Sequence, residues 1–374
     1  MWPSKRTAIV IIHGIGQQSP FETLDPFVQS FWNVLETQHP GRTVTGSHRV
    51  AKRDDWVENY VSLSLEGSDI SLDFYEYYWA YQMEREISFP EIVEWLVRTS
   101  EGARDFYDDN RALAAKYEGQ GPFSDGRFAE RWYLKQFGWP LRIVSLLYPL
   151  VDLSAIPVIG KLVHALSTKA GGVIVDYIGD IAIYTTTDEK SKHYAVRRRI
   201  LDALVGQLKL LLPAYDSVVL AGHSLGSVIA FDALNRVNVH MNAGLMDHHF
   251  SDRIAGLVTF GSPLDKIAFF FRERTLKQYW IRRQVLSHFH GYRHRDLDLD
   301  DSGRPLSNPI APLLDAGSKW INFWDPHDHV SGPLDFYAVD ENIQYDHGQT
   351  QLDRAHGAYF ANPQMFEHII RTFF

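Results

Sequence analysis

The chain has 374 residues, 45% of them apolar and 22% charged, the composition of a globular protein with a sizeable core rather than of a disordered polymer. Its 37 Lys and Arg against 46 Asp and Glu leave a net charge of −9, which opposes attraction to phosphate backbones and excludes nucleic acid as an expected partner. The absence of cysteine removes disulfides, thiolate metal sites and a cysteine nucleophile.

In chain order, Lys5 and Arg6 precede the apolar run Ala8–Ile12. The run is too short for a signal peptide and leads into His-Gly-Ile-Gly, so it reads as a strand. Further β-branched or aromatic runs at Ile70–Tyr78, Val218–Ala221, Ala255–Phe260, Trp320–Trp324 and Ile343–Tyr345 read the same way. Val196, Ile200, Leu204, Leu208 and Leu211 recur at helical spacing just ahead of the Val218 run. Strands alternating with helices imply a mostly parallel α/β sheet covered on both faces.

Residues 84–187 break this rhythm. They contain no convincing strand, and the apolar stretch Leu141–Leu166 is too rich for a surface helix and too interrupted by Pro149, Asp152, Pro157 and Lys161 for a membrane span. The division expected is a core of residues 1–83 and 188–374, with 84–187 as a mainly helical apolar insertion.

Chemistry concentrates where Val218–Ala221 runs into Gly222-His223-Ser224-Leu225-Gly226 and directly into a helical pattern. A serine on so sharp a strand-to-helix turn needs small neighbours, and the helix N-terminus favours negative charge developing beside it. The Ala8–Ile12 strand ends in His13-Gly14-Ile15-Gly16-Gln17, a turn where a backbone amide can aim at an oxyanion. These segments, with Thr259-Phe260-Gly261-Ser262-Pro263-Leu264 and Asn322–Val330, resemble the lipases and esterases of the α/β-hydrolase superfamily.

The resemblance implies the α/β-hydrolase fold with the insertion as a cap or lid. It implies Ser224 as nucleophile, the Ile15 and Leu225 amides as oxyanion hole, and an acid and a base following in that order. Asp328 is the preferred acid, with Asp325 and more weakly Asp265 as alternatives. His356, in Ala355-His356-Gly357-Ala358-Tyr359-Phe360, is the preferred base among the 17 histidines. His223, His327, His329 and His347 read as neighbours or surface residues, and Asp232 as a simple polar helix residue.

The cluster His288, His290, His294, Asp296, Asp298 and Asp300 only partly follows a calcium loop and reads as a solvated loop. No metal or cofactor is expected, because the implied reaction uses the chain's own groups. The expected activity is cleavage of acyl esters of apolar or lipid-like substrates, in a cytoplasmic chain that touches membranes or lipid interfaces only peripherally. An acyltransferase or thioesterase on the same scaffold, or a non-catalytic binding module, are the other readings.

Overall fold

The described residues of the computed structural model are 6–15, 19–53, 56–68, 71–83, 123–128, 191–264, 280–293, 304–315, 317–328, 330–335, 337–349 and 352–374, with single positions between 104 and 184. At the centre is β1 (Arg6–Ile12). Ile9 and Ile11 enter one core cluster, and Ala8, Val10 and Ile12 enter another. Successive side chains of a strand face opposite sides, so an unbroken apolar run is what a strand covered on both faces requires.

Helix α1 (Leu24–Gln38) buries Leu24, Phe27, Val28, Phe31, Val34 and Leu35, one apolar stripe at helical spacing. The Glu76 carboxylate accepts hydrogen bonds from the amides of Phe21, Thr23 and Leu24, capping the helix from a neighbouring strand. Next come β2 (Val44–Arg53) and β3 (Trp56–Leu65), an antiparallel pair, then β4 (Ser71–Tyr77). The first two strands are additional to those expected. Their polar, mixed alternation, with Val44, Leu63 and Leu65 buried but Val50 exposed, lacks the continuous apolar run that marks the central strands.

Within the segment expected to be free of strands, β5 (Phe123–Ser124) and β6 (Arg127–Phe128) form a short hairpin. Asp125 and Gly126 both have positive φ, 55° and 65°, the requirement of a tight two-residue hairpin turn that Asp-Gly meets at low cost. Apart from a few single positions such as Tyr184, the rest of the insertion, including Leu141–Leu166, lies outside the described residues.

Helix α2 (Lys192–Ala214) starts at Ser191, whose hydroxyl accepts from the His193 amide, and leads into β7 (Ser217–His223) and α3 (Leu225–Asn242). Then follow β8 (Ile254–Phe260), α4 (Trp280–His290), β9 (Lys319–Trp324), β10 (Glu341–Gln344), α5 (Leu352–Gly357) and α6 (Pro363–Phe373). One eight-stranded sheet has the order β10-β9-β8-β7-β1-β4-β3-β2. It is parallel from β10 through β4, with the β2–β3 pair added antiparallel at one edge. Residues of α2 and α3 share one core cluster with one face of the sheet, and residues of α1 and α6 share the second with the other face.

The chain passes from β1 to β4 on one side and returns to β7 on the other side of β1. Strand order thus reverses at β1, and the carboxyl ends of β1 and β7 form the crevice where open α/β sheets bind ligands. Asp232 is not the simple polar residue expected on α3. It is buried, and its Oδ2 accepts from Arg197 Nη2 at 2.9 Å and from the hydroxyl of Tyr184, in the insertion, at 2.9 Å. A buried carboxylate needs such partners, and here they join α2, α3 and the end of the insertion. Among the described residues, no helix is long and apolar enough to cross a membrane.

Candidate active site

Ser224 sits between β7 and α3 with φ 53° and ψ −129°, in a region that L residues other than glycine rarely occupy. The turn is held tightly. The Ser224 amide donates to the Phe260 carbonyl of β8 at 3.1 Å, and Ser227 Oγ donates to the Ser224 carbonyl at 2.5 Å. Glycine is required on both sides of the serine. A Cβ on Gly222 would come within 2.5 Å of Ser227 Cα, and one on Gly226 within 2.2 Å of the Ile12 carbonyl oxygen. The second approach brings the first turn of α3 onto the end of β1.

The loop after β1 reaches the same serine, since a Cβ on Gly14 would lie 2.8 Å from Ser224 Cβ. Ile15 is buried next to that contact. Leu225 opens α3, so its amide is among the first four of the helix that have no acceptor within it. The helix dipole adds partial positive charge at the same place.

His13 braces this loop in a way the sequence reading did not include. Its ring stacks on Trp79 at a centroid distance of 4.8 Å and an interplanar angle of 5°. Its Nδ1 lies 2.7 Å from the Gly14 carbonyl oxygen, and its Nε2 lies 3.0 Å from the Trp79 amide nitrogen. Burial lowers its pKa to about 4, so the ring is neutral at pH 7. The Trp79 amide can only donate, hence Nε2 accepts and Nδ1–H donates to the Gly14 carbonyl.

Asp328 and His356 lie at the carboxyl end of the sheet, beyond β9 and in α5. His356 Nδ1 is 2.9 Å from Asp328 Oδ2, and Tyr359 donates its hydroxyl to the same oxygen at 3.0 Å. The Val330 amide donates to Asp328 Oδ1 at 3.0 Å. Tyr359 also accepts from the Asp325 amide at 3.0 Å and lies 2.9 Å from Ser331 Oγ, so it ties the acid-bearing turn to the segment that carries His356. Desolvation, reinforced by the Asp328 charge, raises its pKa, and it remains a donor. The aromatic shortly after His356 was the available sequence signal, but nothing in the sequence revealed its bonds.

His223 is a half-buried neighbour of His356. Burial, with the nearby His356 ring, lowers its pKa to about 3. The neutral ring places Nε2 2.9 Å from the His356 carbonyl oxygen, with ring centroids 4.7 Å apart. Since a carbonyl only accepts, Nε2–H is the donor, and His223 holds the His356 backbone.

Asp325 makes a separate pair. His347 Nδ1 lies 2.6 Å from Asp325 Oδ2, and His347 Nε2 is 3.0 Å from Asn362 Nδ2. Asp265, His329 and the acidic part of the 288–300 cluster lie outside the described residues.

Two atoms decide the chemistry of the arrangement. Ser224 Oγ and His356 Nε2 are both buried and have no hydrogen-bond partner among the described residues. They form no bond to each other in this conformation. A buried polar atom left unpaired costs free energy, commonly about 1–3 kcal/mol, and its persistence points to a site awaiting a ligand or a small movement. No known protein family, curated protein or solved structure matches the chain.

Proposed function

We propose that the chain is a serine hydrolase of the α/β-hydrolase fold that cleaves acyl esters of at least partly apolar substrates. The observation carrying this reading is the strained Ser224 at the strand-order reversal, accompanied by a carboxylate-bound imidazole whose distal nitrogen is buried and unpaired. In the proposed reaction Ser224 Oγ attacks the ester carbonyl carbon as His356 Nε2 takes its proton. Asp328 keeps the other imidazole proton on Nδ1 and stabilises the imidazolium.

The oxyanion accepts hydrogen bonds from the Ile15 and Leu225 amides, and the alcohol leaves with the proton from His356. Water, deprotonated by the same imidazole, then attacks the acyl-enzyme and releases the acid while Ser224 regains its proton. Only groups of the chain and water take part. Serine–histidine bonds are often long or misaligned without substrate and tighten in the reacting complex, which fits two unpaired atoms awaiting closure.

The substrate class rests on residues 84–187. Leu141–Val175 is apolar yet broken by Pro149, Pro157, Gly160, Gly171 and Gly172, and such a stretch must bury its side chains. An insertion placed before the serine strand is suited to cap an acyl pocket.

A fluorophosphonate probe tests the reading, because it reacts with activated serines. The expected result is stoichiometric labelling at Ser224 together with hydrolysis of p-nitrophenyl esters, both lost in a folded Ser224→Ala protein. Unlabelled wild-type protein, or esterase activity that survives the substitution, would overturn it.

A further inference from the structure

Three His–Asp couples crowd the turn after β9, and one of them behaves differently. His356 and His347 each form an ordinary hydrogen bond to their carboxylates, at 2.9 and 2.6 Å. His327 does not. Its Nδ1 lies 3.3 Å from Asp325 Oδ1 and 3.3 Å from Asp346 Oδ1, and that one atom of a partly exposed ring is shielded from solvent with no hydrogen-bond partner among the described residues. An imidazole N–H directed at either carboxylate would draw its oxygen in to ordinary hydrogen-bond distance, as the two neighbouring rings do at 2.9 and 2.6 Å.

Two equal separations of 3.3 Å match a different chemistry. With metal–ligand bonds of about 2.0–2.1 Å, neighbouring ligand atoms of a tetrahedral zinc site stand about 3.3 Å apart. The three ligand atoms lie within 4.8 Å of one another, which leaves room to close around an ion and a fourth position for water. The second Asp325 oxygen is held by the His347 amide at 2.8 Å and by His347 Nδ1, the outer hydrogen bonding that orients carboxylates which bind metals.

We propose that Asp325, His327 and Asp346 bind a divalent transition cation of the zinc class, with mixed carboxylate and imidazole donors. The ion would clamp the turn after β9 to the segment after β10. Its place is structural rather than chemical. The Asp328 amide donates to the Asp325 carbonyl at 3.1 Å, so fixing Asp325 also fixes the turn that presents Asp328. The other group with suitable donors among the described residues, Asp247, His248 and His249, is fully exposed, and His249 Nδ1 already bonds Asp247 at 2.8 Å.

The test uses the full chain without a histidine tag, with His248→Ala and His249→Ala introduced to remove that second cluster. After dialysis against a chelator, Zn2+ is titrated and retained metal is measured by mass spectrometry, with Co2+ as a spectroscopic reporter of tetrahedral coordination. The expected result is about one Zn2+ per chain, a higher melting temperature on loading, and a visible Co2+ band. His327→Ala and Asp346→Asn should each weaken Zn2+ binding at least about tenfold. Both side chains are accessible, 41% and 60% exposed, so both variants should remain folded, which circular dichroism checks.

Absence of stoichiometric Zn2+ in the parent, or equal affinity in the variants, would reduce the cluster to an ion pair and overturn the proposal. Ser224→Ala must leave Zn2+ binding unchanged. Metal binding and ester hydrolysis can therefore fail separately.

Discussion

Asp328–His356 and Asp325–His347 are two carboxylate–imidazole pairs on the same turn, with similar separations of 2.9 and 2.6 Å, yet only one leaves its distal nitrogen open. In the first, the distal imidazole nitrogen is unpaired. In the second it is occupied by the Asn362 amide at 3.0 Å. A general base needs one nitrogen fixed and the other available, so the far side of each ring, and not the carboxylate contact, separates a candidate catalytic pair from a structural one.

The largest effect tests that distinction directly. His356→Ala and Asp328→Asn should lower kcat for a soluble ester by about 10³–10⁴-fold, whereas His347→Ala and Asp325→Asn should cost less than about tenfold in kcat. The latter pair should instead lose about 1–3 kcal/mol of stability, because a buried, multiply bonded group is left unsatisfied. Steady-state kinetics with parallel urea denaturation separates the two patterns. A dead Asp325→Asn protein beside an active Asp328→Asn protein would reverse the assignment.

A smaller effect concerns the apolar insertion. Replacing Leu146, Leu147 and Ile159 with serine should depress hydrolysis of long-chain esters at least about tenfold while sparing a short soluble ester, if the segment covers the acyl site. Equal loss on both substrates with a lowered melting temperature would make the segment part of the core.

Tyr359→Phe sharpens the comparison further, because its hydroxyl serves both pairs. It donates to Asp328 and accepts from the Asp325 amide. The variant should lose about 1–3 kcal/mol of stability and, through a less well-held Asp328, about tenfold in kcat. A fall in stability with kcat unchanged would confine Tyr359 to packing.

The smallest effect is on pH dependence. His13 and His223 are held neutral by burial, with pKa values lowered from 6.5 to about 4 and about 3. Below pH 6.5 the unfolded chain takes up protons that the folded chain refuses, so stability falls as pH drops from about 6.5 toward 4. The slope is on the order of 1.4 kcal/mol per pH unit for each histidine. The Asp325 carboxyl, buried but lowered by its His347 and His327 amide bonds from 3.8, adds its own loss only below this window. His223→Gln, which retains a donor for the His356 carbonyl, should flatten the slope measured by denaturation between pH 7 and 4.5. An unchanged slope would mean that His223 is protonated in the folded state.

The parallel heart of the sheet was legible because a strand buried on both faces must be apolar at every position, as Ile9–Ile12 and Val218–Ala221 are. The β2–β3 pair was not, since an edge strand with a solvated face carries few apolar residues in a row. The turn around Ser224 could be read from glycine spacing, because Gly222 and Gly226 answer local contacts.

Sequence by itself thus determined the local elements: the central strands, the α2 periodicity and the strand–serine–helix turn, each dictated by residues within a few positions of one another. The motif resemblance favoured Asp328 and His356 from the sequence, but only tertiary structure sets one against the other and gives Asp325 to His347. Asp325 and Asp328 are three residues apart and chemically identical, while their partners His347 and His356 arrive from separate segments beyond β10. Which distal nitrogen stays free depends on Asn362, and which carboxylate is steadied depends on Tyr359. Those pairings join residues 15 to 31 positions apart, and no periodicity specifies them; they follow from how β9, β10 and the C-terminal helices close over the sheet.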